Sequence, residues 1–157
     1  MHAPVMSAPT VSPLNALLRG FLGFVLGMIL GGCANMGIII GGGMLLPPPA
    51  GVDVQNIETI KAHIGEYSVL QLMVPLSAHA AGSLVGAFIA ARIAATPRSK
   101  KALALVIGLA FLLGGAMAVS MIPAPLWFNT VDLALAYLPM AWLGYRLATG
   151  CTCCSRA

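Results

Sequence analysis

The chain is short of charge. Only 8% of its 157 residues are Asp, Glu, Lys or Arg, where a soluble domain carries about 25%. So few charges cannot keep the surface of a soluble fold of this size wet, and a water-soluble globular protein is excluded. Aromatics are also sparse, at 6%. No basic stripe is interleaved with aromatic rings, so the net charge of +4 is not the footprint of a single-strand nucleic-acid binder. Catalytic signatures are missing too. There is no HExxH, no phosphate-cradling glycine loop, and no nucleophile placed with a base and an orienting group. No enzyme, cofactor or metal site is therefore expected.

What remains is 59% hydrophobic and arranged in long runs. A helix crossing the hydrocarbon needs about 20 mostly apolar residues. Four segments qualify: Phe21–Leu46, Val69–Ala95, Ala102–Ile122 and Trp127–Ala148. The runs are continuous and do not alternate, so they are helices rather than barrel strands. "LPPPAG" and "IPAPLW" end the first and third runs, because proline lacks a backbone donor and restricts the residue before it. The expected fold is an all-α membrane protein, a four-transmembrane-helix bundle over residues 19–148. A disordered tail over 1–18 and a cysteine-containing tail over 149–157 flank it.

Basic residues set the orientation. Arg19, Arg92, Arg98, Lys100, Lys101, Arg146 and Arg156 fall on one side of these spans and only Lys61 on the other. The positive-inside rule then puts both termini and the middle connector in the cytoplasm, with the first six as anchors. Trp127 and Phe128 are expected at the outer interface, Trp142 and Tyr145 toward the inner one. In the first outer loop, "VDVQNIETIKAHIGEY" spaces Val54, Ile57, Ile60 and Ile64 as one helical face, with Asp53 or Asn56 as cap. Two readings stay open for it: a short amphipathic helix on the membrane surface, or an ordered loop packed on the bundle.

The two hairpins look alike. "LGGCANM" (30–36) is similar to "LGGAMAV" (113–119), and "AFIAARIA" (87–94) to "AWLGYRLA" (141–148). A duplication would relate the halves by an axis along the membrane normal.

Cysteine supports no disulfide framework. Cys33 follows Leu-Gly-Gly at the end of an apolar run, as in a lipoprotein signal, and processing there is an alternative. Against it, the apolar run continues through "ANMGIIIGGGMLL". Cys151, Cys153 and Cys154 lack the separated pairs of a zinc site. Membrane-adjacent cysteines can also be acylated.

Polar groups inside spans are expensive, each carboxylate at mid-bilayer costing roughly 2.5–3.5 kcal/mol. The candidates are Asn35, His79, Ser120 and Asp132. Asn35 is 16 residues from Arg19, His79 is 13 from Arg92, and Asp132 is 14 from Arg146. At 1.5 Å per residue all three lie about 20–24 Å from their anchors, so they share one level. Small residues mark the helix-packing faces: Gly23, Gly27 and Gly31 lead to Asn35, and Gly82, Gly86 and Ala90 follow His79. A cross-helix hydrogen bond there contributes only ~0.6 kcal/mol on average, so a structural tie and a working site are both compatible with the layer.

The stretches "LPPPAGVDVQNIETIKAHI", "AHAAGSLVGAFIAARIA", "IPAPLWF" and "YLPMAWLGYRLA" resemble an uncharacterised group of small bacterial four-span membrane proteins. The resemblance covers about residues 21–148. It implies a bacterial inner membrane and supplies no activity and no site residues. Two functions follow. One is a helix-packing accessory or oligomerising protein, whose partners are the lipid bilayer and a second copy or another membrane protein, with no nucleic acid. The other is a small transporter or channel that uses Asn35, His79 and Asp132.

Overall fold

A computed structural model describes residues 12–150. Three of its helices are long and apolar enough to cross a membrane. Helix α1 spans Pro13–Leu45. The Ser12 side chain accepts from Asn15 N, and Pro13, which has no N–H to leave unpaired, opens the first turn. The helix thus begins six residues before the expected tail boundary, and residues 1–11 lie outside the description. It runs unbroken through the exposed, free Cys33 and stops at the run of prolines from Pro47.

Helix α2, Ile57–His63, is the short helix expected in the first connecting segment. Asn56 caps it, accepting from Glu58 N, and one 3-10 turn, Ile64–Glu66, follows. Helix α3, Val69–Ile93, opens on a reciprocal capping box between Ser68 and Gln71. It carries Pro75 in its second turn without breaking. Helix α4, Pro97–Met121, opens on the same device between Thr96 and Ser99. Arg98, Lys100 and Lys101 therefore sit in its first turns and not in a connector.

The expected fourth span, Trp127–Ala148, is not one helix. Helix α5, Leu126–Leu135, and helix α6, Leu138–Thr149, replace it, and neither half is long enough to span alone. The cause is Pro139. Its ring conflicts with the carbonyl four residues earlier, at Leu135, and it has no N–H to continue the ladder. The chain accordingly leaves helix geometry at Tyr137, with φ −113° and ψ −79°.

Helix α3 is the hub, packed on α1, α4 and α6. Small residues set its distance to α1. A Cβ on Gly27 would lie 2.7 Å from the Gly86 carbonyl oxygen, and one on Gly31 2.6 Å from that of Gly82. Gly23 faces the Ala90 carbonyl in the same way. On the other side of α3, Gly144 of α6 meets the backbone at Leu84 and Phe88, and Gly108 of α4 meets Ala141. The buried core joins Ala87, Ala90 and Ala91 to Ala104, Ile107, Ala141 and Ala148.

This core lies at the end where the basic residues gather. There Arg19 Nε donates to the carbonyl of Ile93 at 2.8 Å, tying the start of α1 to the last turn of α3. The Arg92 guanidinium lies 5.9 Å from the Phe88 ring and that of Arg146 5.2 Å from the Trp142 ring. These two arginines, each stacked on the aromatic residue four before it, occupy matching places in the similar stretches 87–94 and 141–148. Ala87 and Ala141, Ala90 and Gly144, and Ala94 and Ala148 are buried in pairs. The other similar pair behaves differently: Gly31 packs on α3, while Gly114 meets nothing.

Candidate functional site

His79, Asp132 and Tyr137 come together at the break between α5 and α6. His79 reaches from α3. Its Nδ1 lies 2.8 Å from Asp132 Oδ1. The Tyr137 hydroxyl donates to Asp132 Oδ2 at 2.8 Å and lies 3.0 Å from the same imidazole nitrogen. Both carboxylate oxygens therefore accept, which assigns the Nδ1 proton to His79 and leaves Nε2 as its free ring nitrogen. Nε2 makes no hydrogen bond and is not sealed off from its surroundings. The imidazole and phenol rings stack with centroids 5.6 Å apart. Asp132 is 2% exposed and Tyr137 1%. His79 is half-buried.

The local fold explains how a tyrosine five residues after the aspartate meets it. In a continuous α-helix, positions i and i+5 point about 140° apart. The turn at Ala136–Tyr137 removes that divergence, and the Ala136 N–H still bonds the Asp132 carbonyl at 3.0 Å. A regular fourth span would leave Asp132 without its second donor. Tyr137 is thus the site residue that reasoning on helix faces missed. Pro139, two residues on, is the signal that could have found it.

Not every candidate joins the cluster. Asn35 approaches it: its Cβ side packs against Gly82, and its Oδ1 is buried without a partner. Ser120 is exposed, and its hydroxyl bonds the Met117 carbonyl of its own helix at 2.6 Å. It belongs to no polar layer. Ser83, buried and also without a partner for its hydroxyl, is a polar group the candidate layer did not include. Phe128 is buried, edge-on to the exposed Trp127.

Two cavities meet at His79. The first, ≈ 270 Å³, lies between α1, α3, α4 and α5 under the segment that holds α2. Its walls are aliphatic side chains such as Ile39, Val74 and Val119, and its roof includes Ile60, Ile64 and Tyr67. The polar groups on it are Tyr67, Gln71, His79, Asn129 and Asp132. Burial pushes the Tyr67 phenol above its ordinary value, so that group stays neutral. The second, ≈ 280 Å³, is lined by Met28, Asn35, Phe111 and Tyr137 among others. His79, Gly115 and Ala118 line both.

Among the described residues no three His, Cys, Asp or Glu side chains converge as a metal would need. The cysteines at 151, 153 and 154 lie outside the description. No family model, no curated protein and no solved structure matches the chain.

Proposed function

We propose that the chain is a multi-pass protein of the bacterial inner membrane, with both termini cytoplasmic, that works as a small proton-handling carrier or channel. One observation carries this reading. The His79–Asp132–Tyr137 cluster, a hydrogen-bonded set with one free ring nitrogen, forms the wall shared by two cavities. Ionisable groups within spans are costly and mark ion or substrate paths by default. A span broken at mid-course, with irregular backbone next to a cavity, is the usual accompaniment of such a path. A proton on Nε2 changes the cluster from a net negative site to a neutral pair, so occupancy of the cavities and protonation of His79 are coupled by charge.

The competing reading is a helix-packing accessory protein in which the cluster only ties α3 to α5. The two separate on one variant. In proteoliposomes holding a pH-sensitive dye under an imposed membrane potential, the wild-type chain carries protons faster than empty vesicles. His79→Gln, which keeps a donor for Asp132, returns that rate to the empty-vesicle level while its unfolding temperature in detergent stays near that of the wild type. If His79→Gln carries protons as the wild type does, or the wild type carries no proton current, the cluster is a structural tie.

A further inference from the structure

The geometry points to an amphiphilic cation as the occupant of the cavity under α2: a protonated amine on an apolar body, held by Asp132 and Asn129 and competing with the proton on His79. The inference rests on the proton-handling reading of the cluster and adds the chemical class of its ligand.

Four features of the cavity lead to it. The first is acceptor chemistry. Asn129 and Asp132 lie one turn apart on α5 and both line the cavity. Asn129 donates its Nδ2 to the Ala124 carbonyl at 3.2 Å, which fixes the amide and leaves Oδ1 as an acceptor with no partner. That oxygen is not among the sealed, unpartnered atoms. Asp132 uses one acceptor position on each oxygen for His79 and Tyr137, and a carboxylate offers about four. Asn129 Oδ1 and the Asp132 carboxylate thus lie on the face of α5 that borders the cavity.

The second is charge. No Lys, Arg or Glu lines either cavity. The titratable groups facing them are His79, Asp132, Tyr137 and Tyr67. An anion would meet a carboxylate with no cation to offset it, and a neutral molecule would gain only from apolar contact. A cation finds a counter-charge in a low-dielectric wall, where charge-assisted hydrogen bonds are roughly twice as strong as neutral ones.

The third is the rest of the lining. The walls are aliphatic, and the rings of Phe128 and Tyr67 also line the space, which suits a hydrophobic body and offers aromatic faces to a cation. The volume, ≈ 270 Å³, is near the lower end of ligand sites, about 300 Å³, so the body is about the size of one aromatic ring with a short arm. The fourth is access. The roof, α2 and the turn after it, makes few contacts with the bundle helices, so it can lift without disturbing the core.

The test compares three soluble probes of one shape: 2-phenylethylammonium, 2-phenylethanol and 3-phenylpropionate. Each is titrated into the full chain in lipid nanodiscs and followed by saturation-transfer NMR, with the ¹⁵N signals of His79 recorded in the same samples. The ammonium is expected to bind at least about tenfold more tightly than the alcohol, and the carboxylate least. Asp132→Asn brings the ammonium down to the alcohol, and Asn129→Leu weakens it severalfold, with the helical circular-dichroism signal of each variant as the control for folding. Ammonium and proton compete at the cluster, so ammonium binding weakens as the pH is lowered. Equal binding of ammonium and alcohol, or binding of none of the three, overturns the cation assignment. If the His79 ring signal still responds to pH in those samples, the proton-handling reading survives that failure. A His79 ring insensitive to both pH and ammonium overturns the reading beneath it as well.

Discussion

The two ends of this bundle are built on opposite rules. At the arginine end, backbones of α1, α3, α4 and α6 approach through Gly23, Gly27, Gly86, Gly108 and Gly144, and the space left is filled by alanines and Ile107. At the end that holds α2, the helices carry Pro75 and the break before Pro139, aliphatic side chains hold the walls apart, and the polar cluster and the cavity under α2 lie between them. The difference is that membrane helices gain little from hydrophobicity against lipid tails and associate by close packing. Where small residues align, the bundle closes. Where proline interrupts the ladder and larger side chains face inward, a space remains that polar groups can occupy.

The largest effect should come from disturbing the closed end. Gly27→Val puts a branched side chain against the Gly86 carbonyl oxygen and Ile107, and should destabilise by on the order of 3 kcal/mol in detergent unfolding. Gly37, which meets nothing, is its control: Gly37→Ala should raise stability by roughly 0.5–1 kcal/mol, since alanine is the better helix former. An intermediate effect is expected at the border between the halves. Tyr137→Phe removes one donor from the buried Asp132 and should cost about 1–3 kcal/mol. The smallest lies in the roof. Ile60→Ser should change stability by only about 0.5 kcal/mol, yet speed hydrogen exchange in α2. A large loss there would mean that α2 is part of the core and that the two ends are not so different.

Much of the architecture was legible because it follows from length and apolarity alone. The first three long helices lie where continuous hydrophobic runs lie, and α2 follows the spacing of Ile57, Ile60 and Ile64 behind Asn56. The apolar runs begin at Phe21 and Ala102, later than the helices that contain them. Ser12 and Thr96 cap their helices with a following proline, and helices so started run on through Arg19, Lys100 and Lys101, whose charges do not break a backbone ladder. Counting residues inward from the arginines put His79 and Asp132 at one depth, and they stand 2.8 Å apart. Ser120 is a candidate only because it is polar and lies within an apolar run, which says nothing of rotation, and Ser120 faces away. Tyr137 was missed for a related reason. Its contact with Asp132 depends on a backbone irregularity, and any argument from a regular 3.6-residue period erases it.

The length of α1 has a consequence for how the protein sits in its bilayer. At 33 residues it measures about 50 Å, against a hydrocarbon core of about 30 Å. Tilt alone cannot absorb that mismatch, since spans rarely lean beyond about 40°. Part of α1 must therefore project beyond the lipid tails or draw a thicker ring of lipid around itself. Because Gly27 and Gly31 bind α1 rigidly to α3, any such lean is shared by the hub of the bundle. Bilayer thickness thereby becomes a mechanical input to the whole fold.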